Sequence, residues 1–275
     1  MVVGIDVSGS TTKIVGIENG KVCSPQFITA ADPITSLFGA FGKYIYDNHI
    51  DLDSVEQVML TGVGSAYVDG SLYGRPTAKT DEFMANALGA KYRSGLDRMI
   101  VVSMGTGTSF IKVDGDAIKH VGGMAIGGGT LQGLSRIIFH SHDIRQTVGM
   151  ALKGDTSRVD LQIRDISKTE IPGLPYGVTA SNFGKAEANA APEDIAAGLI
   201  NMVLQTIGSA ANLVAYNTGI KDFVLIGNLP MLPQSRPLYD RIEALYGIRV
   251  HIPEYPEYRT AIGAALSCLQ GNACR

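Results

Sequence analysis

A run of hydroxyl-bearing residues near the amino terminus has the composition of a phosphate-binding turn. In "GIDVSGSTTKIVGI" the turn follows a short apolar stretch and contains, in order, Ser8, Gly9, Ser10, Thr11 and Thr12. Glycine lets the backbone come close to a ligand, while hydroxyls and free N–H groups offer donors to phosphate oxygens. Lys13 adds positive charge, and Asp6 is an acceptor that can hold Mg²⁺ through water. These residues predict a turn that binds a polyphosphate.

A second turn of the same kind follows about a hundred residues later. "IVVSMGTGTSFIKVDG" repeats the order of strand, Gly/Thr-rich turn, strand and Asp-Gly turn, with Thr106 between two glycines. Two similar hairpins at the starts of two halves predict a duplicated domain with a cleft between the copies. For either turn taken alone, a tight β-hairpin without a ligand is the alternative.

A glycine triplet, Gly127 to Gly129, precedes the helix-like segment that starts with Thr130, Leu131 and Gln132. The unpaired N–H groups at the start of a helix favour an anion, so the triplet is a third candidate phosphate contact. Close packing of backbone against backbone is the alternative explanation for the glycines. The spacing fits neither the GxxxxGK[ST] loop nor the GxGxxG fingerprint.

The elements that must position these turns alternate between strands and helices, which predicts an α/β protein. Residues 2–6 are expected to form a buried strand and residues 13–17 the first arm of a hairpin. Asp32 is expected to cap a helix with Pro33 at its first position. "VEQVMLTG" and "RMIVVSMG" are predicted strands, and "DEFMANALGAKY" is a predicted helix.

Composition narrows the class of partner. The 275 residues are 45% hydrophobic and 18% charged, and the formal net charge is −3. Without a long basic run, nucleic acid and anionic membranes are not expected partners, which leaves small molecules. The cysteines, Cys23, Cys268 and Cys274, form no CxxC pair, so we expect structural thiols in a reducing compartment. With no signal-peptide pattern and no continuous apolar span of about 18 residues, we expect a cytoplasmic protein.

Seven motifs together resemble the type II pantothenate kinases of the eukaryotic and staphylococcal kind. They are "GIDVSGSTTK", "MGTGTSF", "VGGMAIGGGTLQGL", "KGDTSRVDLQIRDI", "TASNFGK", "VLIGN" and "AIGAAL", and they cover nearly the whole chain. The first motif alone is shared with acetate kinase, sugar kinases, Hsp70 and actin. The resemblance implies two RNase-H-like domains, 1–97 and 98–275, around a nucleotide cleft. It also implies ATP-dependent phosphorylation of pantothenate on its primary hydroxyl, the first step towards coenzyme A, with Mg²⁺.

The resemblance also assigns site residues. The nucleotide-binding positions of the family fall on Asp6, Val7, Ser8, Gly9, Ser10, Thr11, Thr12, Lys13, Thr106, Gly128, Gly129, Thr130, Leu131 and Gln132. Asn228 stands where the staphylococcal pattern has serine. Asp6 is the expected Mg²⁺ contact, and Glu82 is the expected catalytic carboxylate, with Asp81 as the substitute. A carboxylate beside the cleft can take the proton of the attacking hydroxyl, although most acids at helix starts are caps or surface charges.

Two departures concern the substrate. His120 stands where the family usually carries an arginine that contacts pantothenate, and histidine has fewer donors and no permanent charge. Lys119 should point to the opposite face of an extended strand. Near the start of the last helix, Arg259 and Tyr258 add charge and bulk where the family often has a small residue. We therefore hypothesise that they contact the substrate, either by reshaping the pocket for its tail or, for Arg259, by returning the missing guanidinium.

Other interpretations stay open. The resemblance implies a homodimer built partly through the alanine-rich helix at 192–217, whereas its apolar faces also fit a central core helix. A sugar kinase or a dehydratase activator shares the first turn, but the zinc and iron–sulfur ligand patterns of those proteins are missing from the sequence. A former kinase that senses ATP or acyl-CoA, and a kinase for another small hydroxylated substrate, are the remaining alternatives.

Overall fold

A computed structural model describes residues 1–8, 11–29, 32–169 and 171–269. Twelve strands form two five-stranded sheets and one small ribbon in these ranges. The first sheet contains β1 (Val2–Val7), β2 (Thr11–Glu18), β3 (Lys21–Thr29), β4 (Gln57–Thr61) and β5 (Thr77–Lys79). The second contains β6 (Arg98–Met104), β7 (Thr108–Asp114), β8 (Ala117–Met124), β11 (Asp222–Gly227) and β12 (Arg249–His251). The ribbon pairs β9 (Leu161–Gln162) with β10 (Thr179–Ser181).

The two large sheets have the same plan. Their orders are β3-β2-β1-β4-β5 and, read from the corresponding edge, β8-β7-β6-β11-β12. In each sheet three antiparallel strands are followed by two strands parallel to the first strand of the set. The predicted α/β architecture is confirmed, and the duplicated hairpin of the sequence corresponds to duplicated sheets. The domain boundary between residues 97 and 98 stays a prediction.

The described chain has eight α-helices. They are α1 (Pro33–Asp47), α2 (Glu82–Lys91), α3 (Gly128–Phe139), α4 (Ile144–Ala151), α5 (Ile163–Ile166), α6 (Pro192–Thr218), α7 (Ser235–Tyr246) and α8 (Arg259–Leu269). Helix α1 starts as its sequence predicts: Asp32 Oδ2 accepts the N–H of Thr35 at 2.7 Å, and Pro33 occupies the first turn. The side-chain oxygen thus pairs one of the N–H groups that a helix start leaves open.

Helices and sheets are stacked in layers. Helix α1 packs on one face of the first sheet, and α8 packs on the other face together with part of α2. The remaining small residues of α2 pack on the second sheet, whose far face is covered by α6 and α7. Helices α2 and α8 therefore form the layer between the two sheets.

Glycine allows backbones to touch in this middle layer. A Cβ on Gly4 of β1 would lie 2.0 Å from the carbonyl oxygen of Ala261 in α8. A Cβ on Gly89 of α2 would lie 1.8 Å from the oxygen of Arg259, and one on Gly263 of α8 would lie 1.7 Å from the oxygen of Ala85. Since interiors are close-packed, no side chain fits at these contacts. The result is a rigid junction between β1, α8 and α2.

Helix α6 is long and apolar enough to cross a membrane by length and composition alone, and 56% of its most apolar window is buried inside the protein. Its residues form much of the core that also contains β6, β11 and α7. Leu213 and Tyr216, near its carboxyl end, are 64% and 89% exposed. A core helix with one exposed apolar end is compatible with both alternatives from the sequence, a central core helix and a helix that contributes to a dimer.

Candidate active site at the amino terminus of α2

The first turn places a carboxylate and an ammonium side by side. Asp6 and Lys13 are directly paired across β1 and β2, and Lys13 Nζ lies 3.8 Å from Asp6 Oδ2. The Ser8 hydroxyl donates to Asp6 Oδ1 at 3.1 Å, and Ser8 N donates to the Thr11 carbonyl at 2.9 Å. Only 4% of Asp6 and 6% of Lys13 are exposed. Gly9 and Ser10, also predicted here, lie outside the described residues.

The strands aim these groups towards the middle layer. Side chains alternate along a strand, so Asp6 and Lys13 share the face of Val2 and Val15, which contacts α8. Thr61 of β4 is paired with Asp6 and shares that face, and its fully buried hydroxyl has no hydrogen-bond partner among the described residues. An orphan hydroxyl beside a buried carboxylate is a polar position that a ligand or water can complete.

Two predicted contacts in this turn need correction. The Val7 side chain is fully buried in the core under α1, and Thr12, its pair across the hairpin, is 1% exposed. Alternation turns both side chains away from Asp6 and Lys13. These two residues can therefore offer a ligand only backbone groups.

Glu82 begins α2 and lies in the electrostatic field of the first turn. Asp81 caps the helix, since its Oδ1 accepts the N–H of Met84 at 3.0 Å. Glu82 is exposed, but the protein around its carboxylate removes part of its hydration. This desolvation raises the pKa of Glu82. The negative charges of Asp6 and Asp81 raise that pKa further, and Lys13 lowers it. The predicted catalytic carboxylate and the predicted phosphate turn thus lie within electrostatic reach of each other, although they are 76 residues apart in sequence.

The donor set fits Mg²⁺ held mainly by water and phosphate. Burial raises the pKa of Asp6, against the lowering effects of Lys13 and of the Ser8 hydrogen bond. In the described part of the chain no group of three or more His, Cys, Asp or Glu residues is placed to hold a metal. Mg²⁺ commonly keeps several waters and takes one or two carboxylates together with substrate phosphates. Asp6, with the orphan Thr61 hydroxyl beside it, provides that kind of partial site.

The glycine triplet packs α3 onto the second turn. Gly128 N donates to the Gly105 carbonyl at 2.8 Å, and Gly129 N donates to the Thr106 carbonyl at 2.9 Å. A Cβ on Gly127 would lie 2.6 Å from the same Thr106 oxygen. These two N–H groups are therefore paired with the second turn, and the nucleotide-binding role of Gly128 and Gly129 stays a prediction. The glycines fix the helix start against the turn whose exposed tip is Thr106.

The rest of this edge contains polar and buried positions. Thr130 Oγ1 accepts from Gly127 N and donates to the Ala125 carbonyl, both at 3.2 Å. Gln132 is half-buried, whereas Leu131 is 1% exposed and packs in the core with α6. The prediction that Leu131 faces a nucleotide is thus wrong for its side chain, and its backbone N–H already donates to the Gly127 carbonyl at 3.1 Å.

Asn228 joins the same edge through strand register. Strand β11 runs parallel to β6 with Gly227 opposite Met104, so Asn228 follows beside Gly105. The asparagine is exposed. The carboxyl ends of parallel strands are where α/β sheets bind ligands, and the second turn, the triplet and Asn228 all meet there.

His120 lies at the start of α2 through a contact that the sequence did not reveal. Its ring stacks on Phe83, the neighbour of Glu82, with ring centroids 4.3 Å apart and planes 11° from parallel. A β-bulge follows in β8, where Ile111 pairs with His120 but Phe110 pairs with Gly122. A bulge re-aims the side chains around it. His120 therefore contacts the neighbour of the candidate catalytic carboxylate, and its substrate-binding role stays a prediction.

Arg259 and Tyr258 are not at this site. Arg259 is 4% exposed, and its guanidinium donates to the carbonyl oxygens of Gly89 and Tyr92 at 3.0 and 2.7 Å. These acceptors lie at the carboxyl end of α2, about 10 to 15 Å along the helix from Glu82. Tyr258 packs against the core under α8, and burial raises its pKa. The hypothesis that Arg259 replaces an arginine at position 120 is wrong, because its charge holds α8 against α2.

Comparison with known protein families shows which family has this sequence. A family model described as Fumble matches residues 77–232, more than half of the chain. The chain belongs to the Fumble family. The matched region contains Glu82, His120, the glycine triplet and Asn228, while the first turn lies outside it.

The Fumble assignment agrees with full-length relatives. The type II pantothenate kinase of Staphylococcus aureus strain USA300 is 29% identical over 278 residues, covering 96% of this chain and 98% of the relative. The resemblance found in the sequence is thereby confirmed.

Solved structures show the fold. An activator of 2-hydroxyisocaproyl-CoA dehydratase from Clostridium difficile, with bound ADPNP, superimposes with a TM-score of 0.70 at 17% identity, covering 98% of this chain and 95% of that one. A ROK family glucokinase from Streptomyces griseus, in complex with glucose and AMPPNP, gives 0.59 at 14% identity, covering 98% and 99%. The actin-like ATPase fold expected from the sequence is confirmed, and the relatives include kinases of small molecules.

Proposed function

We propose that this Fumble-family protein is an ATP-dependent kinase that phosphorylates the primary hydroxyl of pantothenate, the first step of coenzyme A biosynthesis. The placement of Glu82 carries the proposal, since its carboxylate lies within electrostatic reach of Asp6 and Lys13. Near full-length similarity to a type II pantothenate kinase, and ATP analogues in two structures of the same fold, support the substrate and the nucleotide.

Each of these residues has a role that phosphoryl transfer needs. Lys13 and the N–H and hydroxyl groups of the first turn would hold phosphate oxygens, with Thr106 and Asn228 contributing from the second sheet. Mg²⁺, held near Asp6 through water, would supply charge neutralisation. Glu82 would accept the proton of the pantothenate hydroxyl, and a raised pKa makes a carboxylate a better proton acceptor near neutral pH.

One observation favours an alternative. The His120 ring is engaged in a stack with Phe83 and offers no permanent charge to a substrate carboxylate. A protein with that change could bind ATP or acyl-CoA as a sensor without turnover, or could phosphorylate another small hydroxylated substrate.

The test is an assay with the full chain, ATP, MgCl₂ and pantothenate, in which ADP release and phosphopantothenate are measured together. We expect turnover that falls about 10²- to 10⁴-fold in Glu82→Gln, the usual size of general-base catalysis. Asp81→Asn is the matched control at neutral pH, because asparagine also caps helices and the Glu82 carboxylate itself is kept. Nucleotide binding without phosphopantothenate would contradict the kinase proposal, and acyl-CoA binding would then support the sensor.

Assembly and location are part of the same proposal. The exposed Leu213 and Tyr216 on α6 support a homodimer that buries this end of the helix. Light scattering of the wild type and of Tyr216→Glu tests it, since a dimer through α6 should dissociate in the variant. The cytoplasmic location stays a prediction that cell fractionation can check.

A further inference from the structure

A cavity of about 610 Å³ lies at the carboxyl end of α2, the opposite end from Glu82. Its walls come from three places: the start of β3, the segment after α2, and the segment between β12 and α8. The lining residues that matter here are Lys21, Tyr92, Arg93, Glu254 and Arg259. A volume of this size is typical of small-molecule sites, which range from roughly 300 to 1,000 Å³.

The cavity has an excess of positive charge. Lys21, Arg93 and Arg259 line it, and within the described ranges none of the three forms an ion pair. His251, another lining residue, lies against Asp222, which also pairs with Arg249. Among the described residues that line the cavity, Glu254 is the single carboxylate.

Arg259 supplies a fixed, buried cation at the back of this cavity. Besides the bonds to Gly89 and Tyr92, its Nε and Nη2 donate to the Glu254 carbonyl oxygen at 2.9 and 2.6 Å. All these acceptors are neutral carbonyls, and burial lowers the pKa of the guanidinium. The negative charge of Glu254 offsets this effect only in part, so an anion entering the cavity would add attraction to a buried charge that is otherwise unfavourable.

Arg93 brings a second guanidinium to the same place. Its Cζ lies 5.1 Å from the centre of the Tyr92 ring, and that of Arg259 lies 5.5 Å from it. The positive charge of Arg93 contributes to the lowered pKa of Arg259, as expected for two cations close together. Arg93 also has a left-handed backbone, with φ of 56°, an uncommon conformation for a residue with a side chain. Such strain at a ligand-facing position is common.

We propose that this cavity is a binding site for a small anion with a phosphate or carboxylate group, contacted by Arg93 and Lys21 and attracted by the fixed charge of Arg259. The site is separate from the proposed kinase site and does not depend on that function. Guanidinium groups favour these anions because their N–H donors match two oxygens at once.

The position of the cavity connects it with the two halves of the protein. Lys21 belongs to the first sheet, Ile252 and Pro253 follow a strand of the second sheet, and Tyr92 ends the helix between them. The Tyr92 hydroxyl donates to the Gly20 carbonyl at 3.0 Å, which ties α2 to the β2–β3 turn. An anion that contacts both walls would therefore join the two sheets at this end of α2.

The experiment is isothermal titration of the full chain with sodium phosphate and, separately, with sodium malonate, at constant ionic strength. A saturating non-hydrolysable ATP analogue occupies any nucleotide site, so that a signal from the first turn is excluded. We expect one saturable site for at least one anion, weakened about tenfold or more by Arg93→Gln and by Lys21→Gln. Both residues are exposed, so these variants should fold.

Lys153→Gln is the matched control, since Lys153 is exposed and lies outside the cavity. Its affinity should equal that of the wild type. Phosphate and malonate distinguish a phosphate ligand from a carboxylate ligand. Absence of saturable binding for both anions, or the same loss in the control as in Arg93→Gln, would overturn the proposal. Binding heat needs no turnover, so this outcome is independent of the kinase assay.

Discussion

The rings of His120 and Phe83 lie face to face, with centroids 4.3 Å apart. This stack joins β8 of the second sheet to the first turn of α2, next to Glu82. Position 120 therefore influences the candidate base through its neighbour, in addition to any direct contact with substrate. The residue that departs most from the type II pantothenate kinase pattern is also the residue that supports the start of the helix.

Replacement of His120 tests this arrangement. A stacked ring pair contributes about 0.5 to 1.5 kcal/mol beyond its buried area, so His120→Ala should lower kcat/KM for pantothenate up to about tenfold. His120→Arg should raise it, because a guanidinium stacks on an aromatic ring and also supplies permanent charge. Steady-state kinetics measure both. Lys119→Ala, on the opposite face of the strand, is the control, and loss of turnover in His120→Arg would show that the histidine has its own role.

The pH dependence of turnover should follow the charges around Glu82. A base must be ionised, so activity should fall as the pH drops through the raised pKa of Glu82. Asp81 contributes to that elevation, and Asp81→Asn should therefore extend activity to lower pH. The measurement is kcat/KM for pantothenate against pH for both proteins. If activity fell at the same acidic pH in both proteins, Glu82 would not be the group whose titration limits activity.

Gly127→Ala tests the docking of α3 on the second turn. The new Cβ would lie 2.6 Å from the Thr106 carbonyl oxygen, so the helix start must move. We expect a loss of about 1 to 3 kcal/mol of stability and at least tenfold weaker ATP-analogue binding. Gly133→Ala in the same helix has open space around its Cβ and should stabilise the protein by about 0.5 to 1 kcal/mol. Chemical denaturation measures the stability, and calorimetric titration measures the affinity for the ATP analogue. Equal nucleotide affinity in both variants would rule out a nucleotide role for this contact.

Arg259→Ala should reduce stability and leave substrate recognition intact. Its guanidinium donates to carbonyl oxygens of Gly89, Tyr92 and Glu254, and the loss of the donor to the buried Gly89 acceptor alone costs about 1 to 3 kcal/mol. We expect a clear drop in the thermal midpoint with an unchanged KM for pantothenate below that midpoint. Arg259→Lys, which keeps the charge but not the planar set of donors, should have a thermal midpoint between those of the wild type and Arg259→Ala. A raised KM in a fully folded variant would restore a substrate role for this residue.

Local signals in the sequence were sufficient to predict several strands and helices and the repeated hairpin. The cap at Asp32, the hairpin of β1 and β2 and the strand before the second turn depend on residues close together in the chain, and each formed as predicted. The duplicated strand order follows from two copies of the same pattern. The position of Glu82 near Asp6 came from family resemblance, since spacing alone does not bring the two segments together.

Long-range packing explains what was missed. Nothing near Arg259 in sequence shows that its partners are carbonyls 167 to 170 residues away. The stack of Phe83 on His120 depends on a bulge in β8 that has no clear local signature. The glycine triplet allowed both a free helix start and close backbone packing, because a residue without a side chain permits either. Only the neighbouring carbonyls of Gly105 and Thr106 decide between them.

The number of residues in α2 determines where Glu82 lies relative to the anchored end of the helix. Its first residue is Glu82, and Arg259 binds the carbonyls of Gly89 and Tyr92 at its other end. One residue added to the helix between Glu82 and Gly89 would turn the glutamate by about 100° and raise it by about 1.5 Å, while the anchored end stayed in place. The carboxylate would then leave the position in which the charges of Asp6 and Lys13 act on it. The helix thus acts as a spacer of defined length and phase, and natural variation in this family should change its side chains far more freely than its residue count.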